Sequence, residues 1–281
     1  MRISEAYLRY VREYLEIKGA DLNQITHYKA SARLWVEIVG DRELSKVTME
    51  DVAKFTSGLK TYGQHRGTNT VAYYIKELRV VLRYWRLRGE TVIDSEIIPI
   101  PKREPNTPSF LSKEEVNRMV KSSHLIRTKF IISMLYSSGL RVSELKSLDR
   151  CSIVDRQFTV VGKGKKERIC FIDARTERYM EKYLSMRKDT SEALIVTSEG
   201  NRASVSTIQF IIRNAAKNAG ITKKVSPHTL RHSFATNFVS NDGNIRHLAM
   251  LMGHNSIETT AQYTHLVNND LMREYKLHHT C

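Results

Sequence analysis

Cysteine is scarce in this chain: Cys151, Cys170 and Cys281 are the only three among 281 residues, an odd number with no Cys-x-x-Cys spacing. That excludes a disulfide framework and a cysteine zinc site, and it fits a reducing, cytoplasmic compartment. Long apolar runs are also missing. Nothing approaches the roughly 18–20 apolar residues that cross a bilayer, and the N-terminus MRISEAYLRYVREYL has no signal-peptide core, so no membrane role is expected. Proline occurs five times, four of them between residues 99 and 108. Acidic residues are outnumbered, 30 Asp and Glu against 45 Lys and Arg, for a net charge of +15.

What is present is enough apolar material for proper cores, 41% of the residues, and a strong positive excess. Such an excess calls for a polyanionic partner, either nucleic acid or an acidic membrane surface. Residues 1–107 hold 18 basic and 14 acidic side chains and the remainder 27 and 16, so both parts are positive and no basic tail stands apart. This is the pattern of two basic lobes around one long anion.

The first hundred residues read as helices throughout. SEAYLRYVREYLEIKG (4–19) repeats apolar residues at three- and four-residue intervals and stops at Gly19; further helices are expected around 25–40 and 48–63. The sharpest is NTVAYYIKELRVVLRYWRLRG (69–89), with Leu78, Val81, Leu82 and Trp85 on one face. Lys76, Arg79, Arg83 and Arg86 fall on the opposite face, which is either simply solvated or in contact with a phosphate backbone.

IIPIPKREPNTPSF (97–110) reads as an extended linker. Beyond it a capping box, Ser112 with Glu115, starts a second helical region that includes IRTKFIISMLYSSG (126–139). QFTVVGKGKKERICFI (157–172) is two β-branched and aromatic runs around Gly-Lys-Gly-Lys, a hairpin by its turn chemistry. Helices are expected again at 174–188, 204–219, 227–240, 244–252 and 256–264, and NNDLMREYKLHH (268–279) reads as a short amphipathic helix. The fold class is mainly α with a small antiparallel β-sheet, in two domains.

SPHTLRHSFATNF (226–238) raises an electrostatic question. Ser226 can cap the helix and Pro227 suits its first position, yet the positive end of the helix dipole then carries His228, Arg231 and His232. Cations there need a negative group opposite. His228 and Arg231 share a face at a helix N-terminus, the makings of a phosphate site. Zinc is not expected, because His228 and His232 have no third ligand nearby. Downstream, LMGHNSIETTAQYTH places His254 after a helix-ending glycine and Tyr263 on a following helix; upstream, SSGLRVSEL places Arg141 just after Gly139.

Together GLRVSEL, the GKG hairpin, HTLRHSFAT and LMGHNSIETTAQYTH resemble the tyrosine recombinase (phage integrase) family, and the short two-domain layout resembles its Xer branch, the single archaeal Xer included. The separations 228 to 231, 231 to 254 and 254 to 263 suit the family's His-x-x-Arg, His and Tyr. The resemblance covers 109–267 strongly and the N-terminal region loosely. It departs at Ser152, where the family usually has Asp, and at Asn237, where His is common.

The resemblance implies a helical core-DNA-binding domain over 1–96, a linker over 97–108 and a catalytic domain over 109–281. It implies a DNA strand transferase that works through a 3′-phosphotyrosyl intermediate without metal, ATP or cofactor, as a tetramer on double-stranded DNA carrying a specific site. Arg141 and Arg231 clamp the phosphoryl oxygens, Tyr263 is the nucleophile, His228 the general base, His254 a hydrogen-bond donor and Lys163 the acid for the leaving 5′ oxygen. Lys165 and Lys166 compete with Lys163 for that role and otherwise contact the DNA backbone. The expected biology is resolution of chromosome dimers; the alternatives are a mobile-element integrase, a type IB topoisomerase and a DNA-binding regulator that has lost catalysis.

Overall fold

Leu78, Val81, Leu82 and Trp85, the apolar stripe of the sharpest predicted helix, are all buried in the core of an N-terminal helical unit. The structure, a computed structural model, describes residues 1–63, 66–102, 109–162 and 167–253. The chain divides into two units, Met1–Asn106 and Thr107–Cys281.

In the first unit, α1 (Ile3–Tyr10) leads into a π-helical turn (Val11–Glu16), followed by α2 (Leu22–Ile38), α3 (Met49–Thr61) and α4 (Thr68–Leu87). Side chains cap the helices where sequence chemistry allows. Asp21 accepts from the Gln24 amide at 2.8 Å, and Thr48 and Asp51 form a capping box. Trp35, Tyr7, Phe55, Ile75 and Leu82 fill the centre, and the Trp85 indole donates to the Ala6 carbonyl at 3.0 Å, tying α4 to α1.

Two expectations need correction here. The periodicity of residues 4–19 predicts one regular helix, but the chain widens into the π turn after Tyr10. A π turn absorbs an extra residue, and this one lies where aromatic rings collect: Tyr10 stands 5.4 Å from Tyr14, 5.2 Å from Tyr28 and 5.0 Å from Tyr84. The expected linker also starts too early. Ile98 is buried in the first unit's core and Ile100 packs against it, because two apolar side chains next to an apolar bundle bury themselves whether or not prolines flank them.

In the second unit the expected Ser112–Glu115 capping box opens α5 (Lys113–Ser122), and α6 (Ile126–Ser138) runs through the centre of the core. Gly139 ends α6 with φ +63°, and a side chain there would meet the Phe234 ring at 2.5 Å. Only glycine suits both conditions. After α7 (Val142–Ser147) come β1 (Gln157–Val161) and β2 (Glu167–Phe171), antiparallel, in register from Gln157 opposite Phe171 to Val161 opposite Glu167. Phe158, Val160, Arg168 and Cys170 point inward. Then follow α8 (Ala174–Ser185), α9 (Val205–Asn218), α10 (Pro227–Ser240) and α11 (Ile245–Met252). Among the described residues, no helix is long and apolar enough to cross a membrane.

Candidate active site

The start of α10 is built as its sequence requires. Ser226 Oγ accepts from the Thr229 amide at 3.2 Å, Thr229 Oγ1 accepts from the Ser226 amide at 3.1 Å, and Pro227 needs no partner for a missing donor. Further along, Leu230, Ser233 and Ala235 are buried, so α10 is fixed against the core and its first turn has one orientation.

Arg231, in that first turn, is 3% exposed. Its Nη1 donates to the Gly139 carbonyl and its Nη2 to the Met252 carbonyl, each at 2.5 Å. Both acceptors are helix ends: Gly139 closes α6, and Met252 is the last residue of α11. A cation at the positive end of α10 is therefore offset by the negative ends of two other helices. These partners are carbonyl dipoles and carry no full charge.

Arg141 caps α7 and reaches the same place. Its Nη2 lies 3.5 Å from the Gly253 carbonyl, next to the carbonyl that holds Arg231. Its backbone N–H and Nη1 donate to Glu144 at 2.7 and 2.9 Å. Glu144, 6% exposed, is shared. Arg168 on β2 donates to both of its oxygens at 2.8 and 2.7 Å, and Arg168 Nε donates to the Leu251 carbonyl at 2.8 Å. Burial pushes the Glu144 carboxyl toward its neutral form, but the bonds from Arg168 and Arg141 outweigh it and hold the group below its usual range.

His228, three residues before Arg231, binds protons less readily than an ordinary histidine. The residue is exposed overall, but partial desolvation of its ring is the main cause, and the positive charges of Arg231 and then Arg141 add to it. Its neutral form therefore prevails at neutral pH, as a proton acceptor requires. His228 and His232 approach with their Nε2 atoms 2.8 Å apart. Among the described residues, no group of three or more His, Cys, Asp or Glu side chains is placed to hold a metal ion.

The structure thus gathers Arg141, His228 and Arg231 around the C-terminal end of α11. Lys163, Lys165, Lys166, His254 and Tyr263 lie outside the described residues, as does the segment 268–279. The basic residues of α4 belong to the first unit: Lys76, Arg83 and Arg86 are exposed, Arg79 is half-buried, and Arg79 and Arg86 pair with Glu96 and Asp94.

Sequence reasoning missed Glu144 and Arg168. Glu144 stands three residues after Arg141, the position from which a glutamate carboxylate accepts from the amide of the residue that begins a helix. Arg168 occupies an inward position of an alternating strand, where a charged residue needs a partner. Both signals were present in the residues.

Comparison with known proteins points the same way. Residues 109–270 match the model of the phage integrase family. The tyrosine recombinase XerD of Oceanobacillus iheyensis is 31% identical over 280 residues, covering 93% of this chain and 94% of the relative. Among solved structures, a XerA recombinase is 28% identical with a TM-score of 0.55, each chain covered to 99%. A lambda integrase dimer bound to a core site superposes with a TM-score of 0.78 at 18% identity, over 92% of this chain and 96% of that one. At that identity the likeness shows a shared fold.

Proposed function

The chain belongs to the phage integrase family of tyrosine recombinases, DNA strand-transferring enzymes, and from that premise we propose that it is a Xer-type site-specific recombinase that resolves chromosome dimers. The chemistry is an exchange of phosphate esters. Tyr263 Oη attacks the scissile phosphorus and the bond to the 5′ oxygen breaks, leaving a 3′-phosphotyrosyl ester. The phenolic proton passes to His228, and Lys163 protonates the departing 5′ oxygen. One phosphoester replaces another, so rejoining needs no ATP.

The transition state carries extra negative charge on the phosphoryl oxygens, and cations fixed beforehand stabilise it without reorganising. The observation that carries the reading is the convergence of Arg141 and Arg231 on the adjacent carbonyls of Gly253 and Met252, directly before His254, with a neutral-leaning His228 beside them. A phenol of ordinary pKa about 10 reacts near neutrality only beside a base or strong positive charge, and this cluster supplies both. DNA with a specific recombination site is the partner, engaged by four subunits, and the N-terminal helical unit is the core-DNA-binding domain.

The test begins by recovering the genomic segments that the protein binds. A nicked duplex built from such a segment, incubated with the protein in EDTA, should trap a covalent protein–DNA adduct. The adduct should vanish in Tyr263→Phe. An adduct that persists there removes Tyr263 as nucleophile, and an adduct that forms only with added magnesium contradicts the metal-free chemistry.

A further inference from the structure

We propose that Arg168 is a positioning residue for DNA cleavage: it locks the turn that presents Arg141 to the end of α11, immediately before His254. The inference rests on the reading above, in which Arg141 and His254 act on the scissile phosphate.

Arg168 faces inward on β2, between positions that elsewhere in the sheet hold Phe158, Val160 and Cys170. A charge in such a place costs free energy unless every donor is used well. It makes three bonds that join three elements. Nη1 and Nη2 fork onto the two oxygens of Glu144 in α7, and Nε holds the Leu251 carbonyl of α11. A planar guanidinium spans both directions at once; an ammonium on a flexible stem does not. Gly253 completes the fit, since a side chain there would come within 2.9 Å of Arg168 Cδ.

The consequence for Arg141 is electrostatic as well as geometric. Glu144 Oε1 takes Nη1 of both arginines, and Oε2 takes Arg168 Nη2 and the Arg141 amide. With Arg168 present, the trio carries one net positive charge, which is available to a phosphate. Without it, Glu144 and Arg141 form a neutral pair, and the end of α11 loses its tie to α7. Arg168 therefore contributes to cleavage without touching DNA.

Three quantities test this on the full chain: the rate of adduct formation on the nicked duplex at saturating protein, affinity for the same duplex without a nick, and thermal stability. In Arg168→Met the rate per folded molecule should fall about 10²-fold, the scale expected when a catalytic group is displaced by about an ångström, with affinity changed by less than about threefold. Arg168→Lys keeps the charge but not the fork and should lose about tenfold; it also carries the test if the methionine variant does not fold. Rates within twofold of wild type in folded protein, or a rate loss matched by an equal affinity loss, overturn the proposal. Failure of the underlying reading looks different, because the wild-type protein would then form no adduct at all.

Discussion

Both units carry surface ion pairs, and they differ in how their most buried charges are matched. In the first, arginines of α4 have carboxylates (Arg79 with Glu96, Arg86 with Asp94), and of its two buried carboxylates Asp51 pairs with Arg42 at 3.2 Å while Glu77 has no cation within ion-pair distance among the described residues. In the second, the buried carboxylate, Glu144, has two arginines, one of them the buried Arg168, while the other buried arginine, Arg231, is held by the carbonyls of Gly139 and Met252. An exposed ion pair cancels its own field and adds little stability. The carbonyl dipoles of Gly139 and Met252 orient Arg231 and carry no full charge. Ion pairs suit a solvated surface, and an arginine oriented by helix ends suits a phosphate site.

The most direct way to break this comparison is Arg231→Lys. A lysine retains the charge but cannot reach both helix ends while also offering paired donors to a phosphate. Adduct formation on nicked DNA should drop by about 10²–10³-fold, as when one fixed donor to a developing anion is lost. Full activity in that variant would mean that charge alone suffices and that the carbonyl anchors are incidental.

Glu77 sharpens the comparison from the other side. It is 3% exposed on α4, and burial raises its pKa to about 7 from an ordinary 4.5; Tyr73 and Ser31 pull the other way, but neither carboxyl oxygen makes a well-formed hydrogen bond. The folded state binds this proton more tightly than the unfolded chain does. Its contribution is therefore complete below pH 4.5 and is lost as pH rises toward 7. Glu77→Gln removes the charge, so it should raise stability above pH 7 by about 2–3 kcal/mol and flatten that loss. Urea unfolding followed by tryptophan fluorescence is a selective readout, because both tryptophans of the chain, Trp35 and Trp85, are in this unit's core. An unchanged pH profile would show that Glu77 is already solvated.

The same contrast explains how much could be read from the residues. The α10 cap, the His228–Arg231 spacing, the glycine stops and the hairpin strands are local, set by neighbours within a few positions, and they were legible. The apolar face of α4 was legible too, because a 3.6-residue period reports burial directly. What answers the charge at the start of α10 was not. The two carbonyls that hold Arg231 lie 92 and 21 residues away, and no side-chain pattern marks a backbone carbonyl. Glu77 sits beside Leu78 on the buried face, where its charge argued for exposure and the packing overrode it. The π turn depends on rings from α2 and α4 meeting Tyr10, again a tertiary condition.

The smallest expected effects belong to the arginines of α4, and they decide what that surface does. If this face meets DNA, its arginines exchange carboxylates for phosphates, and the net gain is less than for a cation without a competing acid. Arg83→Ala should then weaken binding to many sequences alike and reduce the salt slope of log affinity by about 0.9, the value for one phosphate contact. Asp94→Asn should do the reverse through Arg86, strengthening binding while changing stability by less than about 1 kcal/mol, the usual scale of an exposed pair. Measured by anisotropy across a salt series, the two variants must move in opposite directions. Should both slopes match wild type, the stripe is a solvated helix face, and the positive charge that grips DNA lies mainly in the second unit.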